Sequence, residues 1–173
     1  MSESFAPATA AVAARTLVRC IVPRTDVVLN EVWAAANSDD SLQASIIDEV
    51  LRTHDHRWAQ LAAEFATKQL DRFSLEQSGS DVNSDTSART DTVSPLLRKV
   101  LRFLHHEDRA FIDVAQYRLL DVKLPEIQDE LLRIVVDSGG TALARACITR
   151  RLEEGAITKA LLVTIHQLPD SQW

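Results

Sequence analysis

His105-His106-Glu107-Asp108 sets two imidazoles beside two carboxylates, the side chains that ligate transition metals or exchange protons near neutral pH. Adjacent residues on a helix diverge, so His105 and His106 do not close on one ion unaided, although one of them can meet Asp108 or Arg109 on the next turn. A helical carboxylate site favours Glu-x-x-His, and no histidine of this chain has a glutamate three residues before it. His54-Asp55-His56 is a second candidate, but on a helix its two imidazoles point about 200° apart. Both stretches therefore read first as polar helix joints. A metal-dependent helical enzyme using His105 and His106 stands as one alternative, with no cofactor or metal assigned.

Other chemistry-bearing patterns are incomplete. Asp137-Ser-Gly-Gly-Thr141 lacks the Lys-Ser/Thr of a phosphate-cradling P-loop and follows a helix rather than a strand, so a helix turn accounts for it. No Gly-x-Ser-x-Gly occurs, and no Ser/His/Asp set assembles from spacing. The two cysteines, Cys20 and Cys147, form no CxxC pair, which predicts neither disulfide nor zinc framework and points to a reducing, cytoplasmic setting.

Nucleic-acid binding supplies a further alternative. The stretch Cys147 to Ile157 superficially resembles the recognition-helix tail of winged-helix regulators, which would make Arg145, Arg150 and Arg151 phosphate or base contacts. Gly139-Gly140 leaves no room for a separate positioning helix, and the residues after Gly155 read as helix rather than β-wing. The net charge of −6 argues against a broad nucleic-acid surface. That charge is uneven: residues 1–94 carry 8 basic and 14 acidic side chains, whereas residues 95–173 carry 11 of each.

The elements that must position these residues are helical throughout. Apolar residues recur at three and four, as in Leu42, Ile46, Ile47, Val50 and Leu51, and again in Ile127, Leu131, Ile134 and Val135. Helix starts are predicted at Thr25-Asp26, Asp40-Ser41, Ser94-Pro95, Leu124-Pro125 and Thr141, from capping oxygens or a proline in the first turn. Gly139-Gly140 marks a helix end. The prediction is an all-α helical bundle of about nine helices. No uncharged run is long enough to span a bilayer. Arg15 and Arg19 interrupt the N-terminal apolar stretch, against a secretory signal; residues 4–25, acid-free with Arg15, Arg19 and Arg24, have some presequence character.

Between Ser74 and Ser94 the periodicity stops: six Ser, three Thr and three Asp fill 21 residues. Such a segment buries too little to offset its ordering entropy, and it is read as a flexible linker whose hydroxyls would suit phosphorylation. The predicted organisation is a helical unit over 1–73, a linker over 74–94 and a second helical unit over 95–173.

The two units align at offsets of 81–83 residues with fifteen identities. Arg15 and Arg19 fall on Arg98 and Arg102. Asp26, Val32, Asp39 and Leu42 fall on Asp108, Val114, Asp121 and Leu124. Ile46, Asp48, Glu49, Leu51 and Arg52 fall on Ile127, Asp129, Glu130, Leu132 and Arg133. Leu61, Ala62, Thr67 and Leu70 complete the set on Leu143, Ala144, Thr149 and Leu152. A tandem duplication of a four-helix unit, with an extra C-terminal helix over 157–168, is the architecture this implies. Under it Cys20 and Cys147 stand opposite phenylalanines, as buried hydrophobes, and the histidines around Asp108 have no counterpart in the sister stretch ending at Asp26.

The function expected from these features is a non-catalytic α-helical protein–protein interaction or scaffold module, self-associating or built into a larger assembly. Its partner would be protein rather than nucleic acid, membrane or small molecule. The last helix, with Leu161, Val163 and Ile165, is apolar nearly all round and must bury itself centrally or against a partner.

Overall fold

A computed structural model describes residues 12, 16, 26–36, 39–53, 56–76, 84–107 and 110–168; at 26–29, 56, 75–76, 84–94 and 107 only the backbone is described. Among the described residues eight α-helices follow in order: α1 (Asp26–Ala35), α2 (Asp40–Thr53), α3 (Ala59–Glu76), α4 (Ser84–Glu107), α5 (Phe111–Arg118), α6 (Pro125–Asp137), α7 (Thr141–Glu153) and α8 (Lys159–Gln167). A 3₁₀ turn, His56–Trp58, leads into α3. Val12 and Thr16 are also helical, and Thr16 Oγ1 donates to Val12 O over 2.9 Å. The described residues contain no strand, so the all-α expectation holds, and the helix order is consistent with a duplicated unit plus one extra helix.

The chain forms two compact units, 1–65 and 66–173. In the first, Asp39 caps α2: its Oδ1 accepts from the backbone N–H groups of Ser41 and Leu42, each at 3.0 Å. The cap thus sits one residue before the predicted Asp40-Ser41 start. Ile46, Ile47 and Val50 of α2 are fully buried, as are Ala62 and Phe65 of α3. Trp33 of α1 keeps its indole N–H satisfied by donating to Glu64 Oε2 over 3.0 Å.

The second unit is built around α6, which packs on α4, α5, α7 and α8. Every residue from Ile127 to Leu132 is buried, with Ile134 and Val135, so only narrow edges of this helix meet solvent. That is why a helix of three and a half turns can carry buried Gln128, Asp129 and Glu130: each finds a partner from a neighbouring element. Gln128 Nε2 donates to Leu119 O at 2.9 Å and Val122 O at 3.0 Å, tying down the α5–α6 connection. Pro125 stands at the first position of α6, as the sequence predicts. The α6–α7 turn uses Gly139 at φ +85°, the left-handed conformation glycine tolerates. The N-cap of α7 is Gly140, not Thr141.

Two boundaries differ from the sequence expectation. Residues 66–73, predicted with the first unit, group with the second, where Leu70 and Phe73 are buried and Arg118 of α5 pairs with Asp71 of α3. Of the segment predicted as a linker over 74–94, Ser74 to Glu76 continue α3 and residues 84–94 belong to α4, which begins at Ser84 rather than at Ser94-Pro95; residues 77–83 lie outside the described residues. Pro95 lies inside α4, where it has no N–H to bond back a turn earlier and its ring crowds the carbonyl four residues before it. Beyond it Leu97, Val100, Leu101 and Leu104 are fully buried.

Candidate functional site

The histidine stretch closes α4. His105 Nε2 lies 2.8 Å from Asp137 Oδ2 at the last residue of α6, and the His105 and His106 rings stack with centroids 4.9 Å apart. The arrangement joins the C-terminal ends of two helices. It is a clip between α4 and α6. Among the described residues no three His, Cys, Asp or Glu side chains gather as a metal site. Asp108, Arg109, His54 and Asp55 lie outside the described residues, so the shared capping role read for Asp108 falls there, as do Cys20 and the presequence-like arginines.

The three arginines of the nucleic-acid alternative do not share an outer face. Arg145 is exposed, but Arg150 NH1 donates to Leu120 O over 2.7 Å. Arg151 is the largest fully buried side chain among the described residues, 1% exposed. Its guanidinium pairs through NH1 with Asp129, and Nε donates to Ala156 O at 3.1 Å. NH2 reaches Thr158 Oγ1 at 3.3 Å. Thr158 Oγ1 in turn donates to Asp129 Oδ2 over 2.7 Å and accepts from Leu161 N at 3.1 Å, capping α8. The network links α6, α7 and the start of α8. Arg151 is thus a structural cation with no access to a phosphate backbone, and Arg150 is committed to the α5–α6 connection. The nucleic-acid alternative needs both at the surface, and only the packing of α6 tells which of these two neighbours in the chain turns inward.

A second arginine cluster was not singled out from the sequence. Glu130, 6% exposed, accepts from Arg102 of α4 at Oε1, with Nε at 2.8 Å and NH2 at 2.6 Å. Arg98 Nε stands 3.7 Å from the same oxygen, and Arg133 NH1 stands 3.5 Å from Oε2. Glu130 raises the Arg102 pKa, first by hydrogen bonding and then by its charge. The signal was present in the repeat alignment, where Arg98, Arg102, Glu130 and Arg133 match Arg15, Arg19, Glu49 and Arg52. In the first unit Arg52 NH1 lies 3.3 Å from buried Glu49 Oε2, the same spacing of three along the helix as in Arg133–Glu130.

Cys147 is buried on α7, and desolvation pushes its thiol up to about 11, with the Arg150 and Arg151 charges opposing. The nucleophilic thiolate is thus disfavoured. Alkylation by iodoacetamide at pH 8, read by peptide mass spectrometry, should modify Cys147 of the folded protein about a hundredfold more slowly than the unfolded chain. Equal rates in the two states would show an accessible, reactive thiol instead.

The remaining feature is apolar. α8 buries Leu161 and Thr164, and Leu168 just beyond it, on one side. On its other side Leu162 is 54% and Val163 48% exposed, with Ile157 at 54% in the approach to the helix. The sequence expectation that this helix needs cover is met on one face and unmet on the other. Among the described residues no helix is long and apolar enough to cross a membrane. No family model matches this chain, and no match is found among curated proteins or among solved structures.

Proposed function

We propose that the protein is a non-catalytic helical interaction module that self-associates through the outer face of α8. The observation that carries this reading is the trio of Ile157, just before α8, with Leu162 and Val163 on it, each about half exposed while α8 packs on α6. Large aliphatic side chains grouped on one exposed surface favour a protein contact. Covering three half-exposed side chains contributes on the order of 3 kcal/mol, which does not by itself offset the loss of translational and rotational freedom. The contact is therefore weak or shared with further surface, with a dissociation constant of about micromolar or above.

Light scattering and sedimentation over a wide range of protein concentration test this. A reversible shift from monomer to dimer is expected, together with a strictly monomeric Leu162→Glu/Val163→Glu variant of unchanged helical circular dichroism. A protein monomeric throughout, or a variant that dimerises as the parent does, overturns the proposal.

A further inference from the structure

The arginine cluster on Glu130 carries more charge than its own fold uses. Glu130 forms a buried floor, 6% exposed, while the side chains of Arg98, Arg102 and Arg133 around it are 40%, 51% and 44% exposed. One carboxylate faces three guanidiniums, so two positive charges are unmatched within the cluster. Only Arg102 makes short hydrogen bonds to that carboxylate; Arg98 and Arg133 stand at 3.7 and 3.5 Å from it, and each guanidinium has five N–H donors, more than one distant carboxylate can use. Arg98 Nε, the atom turned toward Glu130, is buried and has no hydrogen-bond partner among the described residues, so any contact with a ligand falls to the outer part of that side chain. Arg98 and Arg102 of α4 and Arg133 of α6 thus gather on one surface around Glu130. Guanidinium pairs best with planar or tetrahedral oxyanions that accept two parallel N–H groups.

We propose that Arg98, Arg102 and Arg133 form a binding site for a phosphate monoester carried on a partner polypeptide. A phosphomonoester bears close to two negative charges at neutral pH and three acceptor oxygens, matching both the surplus charge and the number of guanidiniums. A single carboxylate would neutralise only half of that surplus. A nucleic acid would also offer phosphate, but its extended polyanion meets a protein of net charge −6, whereas a short peptide meets only the local rim. His105, paired with Asp137 further along the same α4–α6 seam, bounds the site at its C-terminal end. The site is on α4 and α6 and stands independently of self-association through α8.

The full-length protein is titrated with a fluorescent peptide of neutral flanks carrying one phosphoserine, and with its unphosphorylated twin, at matched ionic strength. Anisotropy should show the phosphopeptide binding at least tenfold more tightly, with inorganic phosphate competing and chloride not. The Arg98→Gln/Arg133→Gln variant, which retains the Arg102–Glu130 pair and so the fold, should lose at least tenfold in affinity at unchanged thermal midpoint. The monomeric α8 variant should bind as the parent does, which separates failure here from failure of self-association. Equal binding of the two peptides, or full binding by the arginine variant, overturns the site. Tighter binding of a single-stranded oligonucleotide, or of free phosphate, than of the phosphopeptide overturns the polypeptide assignment.

Discussion

Arg151→Ala is expected to lower the unfolding free energy by about 3–5 kcal/mol, because it strands Asp129 as an uncompensated buried charge. The wild-type pair is enclosed, at 1% and 9% exposure, and its loss also removes donors from Ala156 O and Thr158 Oγ1. Denaturation in urea should therefore show a large fall in midpoint. The double variant Arg151→Met/Asp129→Leu should recover most of the loss, since burying two apolar side chains of similar volume avoids the desolvation cost altogether. Arg150→Ala, which gives up a bond to Leu120 O from a half-buried position, is expected to cost about 1 kcal/mol. Equal and small effects of the two single variants would mean that the buried network contributes nothing specific.

The next largest expected effect is at the centre of the second unit. Leu131→Ala in α6 should cost about 2–5 kcal/mol, from lost transfer free energy and from the cavity left among four neighbouring helices. Leu131 is fully buried, and α6 packs on α4, α5, α7 and α8, so no single neighbour can collapse to fill the space. Ile157→Ala, an aliphatic truncation at an exposed position, should stay within about 0.5 kcal/mol of the parent. Calorimetric unfolding of the two variants separates core from surface, and a Leu131 variant as stable as the Ile157 variant would remove α6 from the centre of the unit.

Helix type and much of helix placement were legible in the chain because apolar spacing of three and four is a local property. Ile46, Ile47 and Val50, or Ile127, Leu131 and Val135, announce a buried stripe without reference to anything distant. Pro125 and Gly139 were legible for the same reason, since each constrains its own backbone. The start of α4 was not legible. Ser and Thr residues resist helix formation only weakly, and the low apolar content of residues 84–94 says little about whether a helix nucleated from Leu97 onward propagates backwards through them.

The candidate sites divide in the same way. His105 and His106 were visible by residue type, yet their role depends on Asp137, thirty-two positions from His105 and brought near only by the parallel run of α4 and α6. Arg150 and Arg151 are neighbours in the chain and opposites in the fold: successive residues on a helix point about 100° apart. That angle leaves Arg150 half exposed beside a loop carbonyl and buries Arg151 against Asp129.

From the sequence alone come the all-helical class, the order of the helices, the repeat that pairs Glu49 with Glu130 and Arg52 with Arg133, and the demand of the last helix for cover. Each of these rests on periodicity or identity along one strand of text. Tertiary structure alone decides which charged residues are swallowed and which remain free, because charge burial depends on partners supplied by other helices. It turns Asp129 and Arg151 into a closed internal pair, leaves three arginines gathered around a single buried Glu130, and covers only one face of α8.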